Sequence, residues 1–395
     1  MKVLVCHPGT QHAGKLAAIL KRQDMLATFF TGFRVKQNSM LGRRLRLSGL
    51  RALDKSLEDC TRQIRLPELL AKAAQCLGWH GERLMRLRNA WFQKLIPESA
   101  IASSDAVIGF DTSSWILAKR ARMLGKPFVL DRTAIHRSTR VLIGAQFVRP
   151  GIGAKVSSSF AGDVQGELES EEMTLASKVV VASRFSGRSV LEAGIGADKI
   201  TVIPYGVDWE WFANGEKNDG PADKLIFLFV GLLKEEKGIA VLLAAWKQLG
   251  ASDAELWLVG SGEAGMIQAA QGVPGVKVLG KLAPPELRQT YQAASVFVFP
   301  TYYDGFGMVL LEAMSSGLPI IATPHCAAPE LIHDGEAGVI CPAGDVVALC
   351  GAMADACAHR SAWRNKGAVA KGIAKSYSWE TYGTHWATLL REVIA

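Results

Sequence analysis

Residues 300–324 read PTYYDGFGMVLLEAMSSGLPIIATP. A strand-like run ends there, Asp304 opens a turn with two glycines, and a largely apolar helical run follows that carries one acid, Glu312. Free backbone N–H groups at the start of such a helix can hold a phosphate. Glu312 lies one helical turn after Met308 on the same face, within reach of a group just beyond that phosphate, such as ribose hydroxyls. Asp304 would lie on the other side, where a sugar would be, but the spacing is equally consistent with a turn aspartate and a helix acid with a local partner.

The composition is that of a folded protein with more than one core. The chain has 395 residues, of which 49% are hydrophobic and 21% are charged, so two domains are expected. Seven cysteines without a Cys-x-x-Cys pair favour reduced thiols in a cytoplasmic protein over disulfides or a zinc site. The apolar runs fall short of the ~20 residues that span a bilayer. The N-terminal MKVLVCHPG predicts a short strand rather than a signal peptide.

Positive charge is concentrated in one region of the chain. Residues 34–94 contain 14 Lys and Arg against 5 Asp and Glu, a surplus of +9 in a chain whose net charge is +8. Such a surplus indicates either a solvated helical surface or an anionic partner. Within it, RRLRLSGLRALDKSL (43–57) predicts a helix that either lies on an anionic membrane or packs on its own domain. Only Trp79, Trp91 and Phe92 offer obvious stacking surfaces there, so a nucleic-acid-binding protein is the weaker alternative and no nucleic acid is expected.

Short β-branched or aromatic runs alternate with helical stretches in both halves of the sequence. The predicted strands are 2–7, 27–33, 106–111, 127–133, 178–183 and 200–206 in the first half, and 225–231, 254–260, 276–280, 296–301 and 319–324 in the second. This alternation predicts parallel sheets covered by helices on both faces. The predicted fold class is α/β, with two Rossmann-like, doubly wound domains, 1–207 and 225–377, facing across a cleft. A polar, turn-rich linker, 208–224, separates them.

Two strand-to-helix turns are predicted to face the cleft, because ligands of such sheets bind at the carboxyl ends of the strands. After strand 225–231, Gly231 permits close backbone approach and Lys237 lies at the start of the next helix, where a lysine suits a phosphate or is merely a surface residue. After strand 2–7, the turn carries His7, Gly9, Thr10, His12 and Gly14. Histidines in loops are commonly only solvated. The position of these two histidines at a strand end, however, favours a functional role.

The segment 300–324 closely resembles the Glu-x7-Glu signature of retaining glycosyltransferases of the GT-B fold, in particular glycosyltransferase family 4. Supporting segments stand in the matching order: VIPYGVDWEWF (202–212), FVGLLKEEKG (229–238), PELIHDGEAGVICPAGD (329–345) and YSWETYGTHWATLL (377–390). The resemblance extends from about Glu169 to the end and is thin before it. It implies that domain 1–207, completed by a C-terminal helix 378–395, binds an acceptor, and that domain 225–377 binds a nucleotide sugar.

The resemblance also implies a role for individual residues. Glu312 would bind the ribose, Asp304 the transferred sugar and Lys237 the diphosphate, while His136 resembles the histidine that the family has near the reacting sugar. Backbone contacts to sugar and phosphate would come from Gly305, Phe306, Gly307 and Met308. In the first domain, Gly9 is a loose match to a glycine turn that approaches the donor phosphate.

The sequence departs from the family pattern at three places. The first acid of the signature is Asp304 where the family usually has Glu, so its reach is one methylene shorter. Leu232 stands where an Arg usually precedes the lysine, and Lys234 is the candidate cation to replace it. Cys326-Ala327-Ala328 replaces a small glycine loop before Glu330, which puts a donor contact by Glu330 in doubt.

The prediction is a hexosyltransferase that uses a UDP- or GDP-linked sugar as substrate, with retention of configuration, and a glycan, lipid-linked or lipopolysaccharide-type acceptor. No Asp-x-Asp near a strand end and no cluster with metal-ligand spacing occurs in the sequence, which fits the metal-independent family, and no cofactor is expected. The enzyme is expected in the cytoplasm, on the inner face of the membrane. A nucleotide-sugar epimerase, which shares the fold and needs no acceptor, is the alternative.

Overall fold

Parallel β-sheets form the centre of the part of the chain that the structure describes. The computed structural model describes residues 1–9, 12–36, 52–147, 164–214, 224–333 and 335–395. The strands are β1 (Val3–His7), β2 (Leu26–Thr31), β3 (Val35–Lys36), β4 (Ala52–Leu53), β5 (Thr61–Gln63), β6 (Ala106–Phe110), β7 (Phe128–Arg132), β8 (Lys178–Val181), β9 (Ile200–Val202), β10 (Leu225–Val230), β11 (Ala254–Val259), β12 (Val276–Gly280), β13 (Val296–Phe299), β14 (Ile320–Ala322) and β15 (Gly338–Ile340).

The strands assemble into two sheets of Rossmann type. The first has the order β5-β2-β1-β6-β7-β8-β9, and the second has the order β12-β11-β10-β13-β14-β15. Within these two sheets the strand pairs are parallel. The central strands β1, β6, β7 and β10 are buried along their whole length, as expected of parallel strands covered on both faces. The predicted fold class, α/β with two doubly wound domains, is confirmed.

Helices connect the strands and cover both sheets. Their bounds are α1 (Ala13–Arg22), α2 (Leu66–Cys76), α3 (Glu82–Lys94), α4 (Glu98–Ala102), α5 (Trp115–Met123), α6 (Arg137–Phe147), α7 (Val164–Leu175), α8 (Arg184–Glu192), α9 (Trp209–Ala213), α10 (Ile239–Leu249), α11 (Ala264–Gln271), α12 (Pro284–Ala293), α13 (Met308–Ser315), α14 (Ala328–Leu331), α15 (Val346–Ala358), α16 (Arg360–Ala374) and α17 (Trp379–Ile394). None of the helices in the described ranges is long and apolar enough to cross a membrane.

The C-terminal helix returns to the first domain. Val207 leaves that domain beside Ser378, with which it forms an isolated parallel bridge, and its N–H donates to the carbonyl of Tyr377 at 2.9 Å. Helix α17 then packs on α1, so closely that a Cβ on Gly383 would lie 2.1 Å from Cγ2 of Ile19. The chain therefore crosses between the domains at neighbouring points.

The structure corrects one prediction about an irregular segment and adds detail to another. Of the helix predicted over 43–57, residues 43–51 lie outside the described residues, but Ala52–Leu53 is strand β4, paired with β3, and Lys55–Leu57 is a 3₁₀ turn. That helix is wrong over 52–57, because the Asp54 side chain accepts a hydrogen bond from the Ser56 N–H and caps the short turn instead. The linker 208–224 also contains helix α9, in which Phe212 packs edge-on against Tyr291.

Replacing Gly383 by alanine should test the contact between α17 and α1. The new methyl would meet the buried Ile19 side chain, so we expect a loss of about 1–3 kcal/mol in the free energy of unfolding, as for other overpacked cores. Gly372→Ala is the matched control, because nothing lies within 4 Å of its Cβ position in helix α16. Alanine there should be neutral or stabilise by up to about 1 kcal/mol. Urea unfolding measures both, and equal stabilities of the two variants would contradict the packing described.

Candidate functional site

Lys237 and Asp304 meet at the carboxyl ends of adjacent strands of the second sheet. Lys237 Nζ lies 2.7 Å from Asp304 Oδ2 and 3.3 Å from the carbonyl oxygen of Tyr303. Gly238 makes this contact available, since its φ is 70° and a Cβ would lie 1.9 Å from the carbonyl oxygen of Pro300. The turn that carries the lysine can therefore lie directly against the end of β13. The sequence placed both residues in the site, and the structure brings them into contact.

The loop that begins with Asp304 leads into the N-terminus of α13. Asp304 Oδ1 accepts the N–H of Phe306 at 3.1 Å, and the N–H of Asp304 donates to the carbonyl of His325 at 2.9 Å. The helix begins at Met308, with Gly307 as its N-cap. The first N–H groups of a helix have no partner within the helix and carry partial positive charge. The arrangement provides an anion site beside Lys237.

Glu312 lies in a largely apolar environment on α13. Its Oε2 accepts a hydrogen bond from the hydroxyl of Tyr291 at 2.9 Å, and Oε1 accepts none from the described residues. Burial raises the pKa of the Glu312 carboxyl, and the nearby charge of Asp208 acts in the same direction. A carboxylate held at one oxygen by Tyr291 is oriented for a ligand that donates hydrogen bonds to the other.

An aromatic contact links the turn after β1 to the loop that follows Asp304. His12 Nε2 lies 2.7 Å from Oδ2 of the buried Asp131, an oxygen that also accepts from the Tyr382 hydroxyl at 3.4 Å. The His12 ring lies 4.5 Å from the Tyr205 ring, and Tyr205 packs edge-on against Phe306 at 5.2 Å. A direct contact of His12 with a donor stays a prediction, and the structure gives this histidine an internal partner.

The other residues of that turn have internal contacts as well. His7 is buried, and burial lowers its pKa well below the usual range. The carbonyl of Gly9 accepts from Arg34 Nη2 at 2.8 Å. Gly14 has nothing within 4 Å of its Cβ position, so packing does not require a glycine there. Thr10 lies outside the described residues.

His136 is held as a neutral imidazole. Its ring Nδ1 lies 2.6 Å from Ser138 Oγ. The backbone N–H of His136 donates to Ser189 Oγ at 3.0 Å. Burial lowers the pKa of His136 to about 4, and the charge of Arg132 acts in the same direction. Its Nε2 is buried without a hydrogen-bond partner among the described residues. Such a nitrogen is available to a ligand that enters the cleft.

The departures from the family pattern have structural outcomes. Leu232 is 46% exposed, so an apolar side chain stands in the open where an Arg was expected. Lys234 N-caps the 3₁₀ turn that ends at Lys237. Cys326 is buried, and burial raises the pKa of its thiol to about 12. Glu330 Oε1 accepts the N–H of Arg184 at 2.7 Å, which binds this carboxylate to the first domain.

Three residues of the candidate site were not predicted from the sequence, although a signal existed for two of them. Asp111 and Asp131 stand at the carboxyl ends of the adjacent strands β6 and β7, both buried. Asp111 accepts hydrogen bonds from the Thr133 hydroxyl at 3.0 Å and the Ala134 N–H at 3.3 Å, and so fixes the loop before His136. An acid at the carboxyl end of a buried strand, within β7 for Asp131 and directly after β6 for Asp111, was the signal. Tyr205, in contrast, gave none.

The second half of the chain is similar to proteins of known family. Residues 224–359 match the family model "Glycosyl transferases group 1". An O-antigen chain mannosyltransferase B from Escherichia coli is 31% identical over 168 residues, which are 40% of this chain and 43% of that protein. A phosphatidyl-myo-inositol mannosyltransferase from Mycolicibacterium smegmatis is 33% identical over 181 residues, 44% of this chain and 46% of that protein. The matches thus cover less than half the length of these relatives.

A solved structure resembles the whole chain in fold. Sucrose-phosphate synthase from Thermosynechococcus elongatus superposes with a TM-score of 0.76 at 19% sequence identity, over 100% of this chain and 99% of that one. An identity this low speaks to the fold alone. The GT-B fold expected from the sequence is confirmed.

The pKa of His136 predicts a pH dependence of stability. Because the folded value of about 4 lies below the ordinary 6.5, the unfolded chain binds more protons between these limits. The free energy of unfolding should therefore fall as the pH is lowered from about 6.5 to 4, by up to ~1.4 kcal/mol per pH unit from this one group. His136→Asn should lose that part of the slope, whereas His385→Asn, at an exposed position on α17, should keep it. Urea unfolding between pH 4 and 6.5 measures this dependence. Parallel plots of unfolding free energy against pH for wild type and His136→Asn would contradict the prediction.

Proposed function

We propose that this chain belongs to the Glycosyl transferases group 1 family, whose model matches residues 224–359, and that the protein transfers a hexosyl group with retention of configuration. The donor is a UDP- or GDP-linked sugar, and the acceptor is a glycan or a lipid-linked or lipopolysaccharide-type molecule. The observation that carries the proposal is the 2.7 Å pair of Lys237 and Asp304 beside the N-terminus of α13.

The geometry suits three parts of one donor. The α13 N-terminus and Lys237 supply positive charge for the diphosphate. Glu312, four residues into the helix, presents one carboxylate oxygen to the ribose hydroxyls, and Asp304 lies on the opposite side, toward the sugar. When the diphosphate binds, it competes with Asp304 for Lys237. The aspartate is then free to accept a hydrogen bond from a sugar hydroxyl.

The proposed reaction exchanges one bond at the anomeric carbon. The bond to the diphosphate oxygen breaks, the acceptor oxygen bonds on the same face, and the acceptor's proton leaves with the diphosphate. Lys237 and the helix N–H groups stabilise the charge that develops on the leaving group, without a metal ion. Asp304 and the neutral His136 orient the sugar, and no residue acts as a covalent nucleophile.

The relatives support the acceptor class. Two of them are mannosyltransferases by name. One name refers to the O-antigen chain, and the other refers to phosphatidyl-myo-inositol. We propose an acceptor of the same kind, a growing glycan or a lipid-linked molecule. An enzyme that uses a lipid-linked acceptor works at a membrane surface.

We propose that the helical hairpin α2–α3 binds an anionic membrane surface. It exposes a set of large apolar side chains: Leu66, Leu69, Leu70, Leu77, Trp79, Met85, Leu87, Trp91 and Leu95. Leu77 and Trp79, at the tip, are 80% and 72% exposed. Arg83 and Arg86 lie next to them on α3, and apolar and aromatic residues among basic ones favour an anionic bilayer interface. We therefore propose the membrane contact at residues 66–95, in the basic region of the chain.

Removal of the two carboxylates should have different consequences. A thermal-shift screen with UDP, GDP and ADP first finds the nucleotide, since a ligand at ~100 times its Kd adds about 2.7 kcal/mol of stability. Glu312→Ala should then weaken binding of the free nucleotide, because a hydrogen bond to a charged group is worth roughly 1.5–3 kcal/mol. Asp304→Ala should leave that affinity nearly intact and lower turnover, since its partner is on the sugar. Lys237→Ala should lower both. Calorimetry and turnover, each with and without EDTA, measure these effects.

The results of these measurements distinguish the proposed function from the proposed division of roles between Asp304 and Glu312. Glu392→Ala, which removes an exposed acid on α17, is the control and should leave binding and turnover unchanged. Stabilisation by none of the nucleotides would overturn the proposed function, and sugar release or alteration without an acceptor would favour an epimerase. Equal losses of nucleotide affinity in the Asp304 and Glu312 variants would overturn the division of roles.

Vesicle flotation should test the α2–α3 surface. The wild type should float with vesicles that contain anionic phospholipid at low salt and less at high salt, because screening weakens the contribution of the arginines. Leu77→Ser/Trp79→Ser should lose most of that binding, whereas Met123→Ser, which alters an 84% exposed side chain on α5, should not. A wild type that stays unbound at low salt, or a hairpin variant that floats like the wild type, would rule the surface out.

A further inference from the structure

Two serine hydroxyls of the first domain converge on one carbonyl of the second. Ser183 Oγ and Ser186 Oγ donate to the carbonyl oxygen of Gly305 at 2.6 and 2.7 Å. Both serines are fully buried. Gly305 directly follows Asp304, so the first domain binds the peptide group next to the carboxylate that the proposed function assigns to the sugar.

A third serine on the same helix face continues the chain of hydrogen bonds. Ser189 Oγ donates to the carbonyl of Ser186 at 2.7 Å and accepts the N–H of His136 at 3.0 Å. Ser183 is the N-cap of α8, and Ser186 and Ser189 follow at intervals of three residues, a spacing that puts successive members on one side of the helix. One helix face thus connects the backbone at His136 to the backbone at Gly305.

Other contacts fix this helix between the domains. The N–H of Arg184, the first residue of α8, donates to Glu330 Oε1 at 2.7 Å. The ring of Phe185 stacks on the ring of His325 with centroids 5.3 Å apart and planes at 14°. The N-terminal turn of α8 therefore contacts the second domain through the backbone N–H of Arg184 and the side chain of Phe185. His325 is also the residue whose carbonyl accepts the Asp304 N–H.

We propose that Ser183, Ser186 and Ser189 are positioning residues that set Asp304 relative to His136 when the two domains meet. The inference rests on the proposed function, in which these two side chains contact the same sugar. Without the two hydroxyls the Gly305 carbonyl loses its partners from the first domain, and the peptide between Gly305 and Phe306, whose N–H donates to Asp304 Oδ1, can rotate. Rotation moves the aspartate away from the reacting sugar but leaves Lys237 and Glu312, which contact the nucleotide, on their own elements.

Ser186→Ala and Ser183→Ala/Ser186→Ala separate positioning from binding. We expect kcat for sugar transfer, or for donor hydrolysis where no acceptor is known, to fall by about 10- to 100-fold, because misplacement near 1 Å has effects of that order. The Kd of the free nucleotide (UDP or GDP, whichever stabilises the wild type) and KM for the donor should change by less than about threefold. Ser183→Thr, which keeps a hydroxyl and a helix N-cap, should retain most of the turnover.

Hydrogen exchange supplies a readout that does not depend on a substrate. The Phe306 amide, which donates to Asp304 Oδ1, should exchange faster in the double variant, while the amides of β10 in the same domain should not. Ser170→Ala is the matched control, because its hydroxyl donates only within α7, to Gly166. It should leave both turnover and exchange unchanged.

The two proposals fail in different ways. A wild type that neither binds nor turns over any sugar nucleotide overturns the proposed function. A wild type that does both, with serine variants equal to it in kcat and in exchange at Phe306, overturns the positioning role alone. Loss of nucleotide binding in step with turnover would assign the serines to general folding instead, and would also overturn it.

Discussion

The backbones of the two domains touch at Gly305, and the arrangement of the cleft depends on this contact. A Cβ at this residue would lie 2.0 Å from the carbonyl oxygen of Thr133, so no side chain other than hydrogen fits without moving the domains apart. The Thr133 loop leads to His136 and the Gly305 loop begins with Asp304. Close approach of the two main chains therefore brings groups from both domains to one place, and the edge-on packing of Tyr205 against Phe306 covers the side of this contact.

Buried ionisable groups in the first domain keep its half of the contact rigid. Glu172 accepts the N–H groups of Ser114 and Thr112 at 2.5 and 2.8 Å, and Thr112 has a φ of 62°, which is costly for a residue with a side chain. Burial raises the pKa of Glu172 to about 8. The fully buried Arg132 pairs with Glu169 at 2.9 Å. Such buried groups add little net stability, but removing one partner is strongly unfavourable, and this holds the loops after β6 and β7 in one conformation.

The second domain could be predicted from the sequence because its site is local. Asp304, Met308 and Glu312 lie within nine consecutive residues, so turn chemistry and helical spacing alone indicate where each lies. The first domain could not be predicted in this way. His12 finds Asp131 119 residues away, and Tyr382 reaches the same carboxylate from the C-terminal helix. Periodicity carries no information on such pairs, and the helix predicted over 43–57 failed for a related reason, since short strands leave too few residues to show a pattern.

Glu330 shows how a local motif acquires a role from a distant part of the chain. The resemblance to the family suggested a contact of Glu330 with the sugar-nucleotide donor. In the structure its Oε1 accepts the backbone N–H of Arg184 at the N-terminus of α8. Burial raises its pKa, and the bond from Arg184 together with the charges of Arg184 and Arg188 offsets part of that effect. A carboxylate at a helix N-terminus is favourable because it satisfies an N–H group that the helix leaves unpaired. Separation of the domains would leave that N–H to solvent, so the carboxylate itself favours the arrangement in which the Gly305 loop lies against the Thr133 loop.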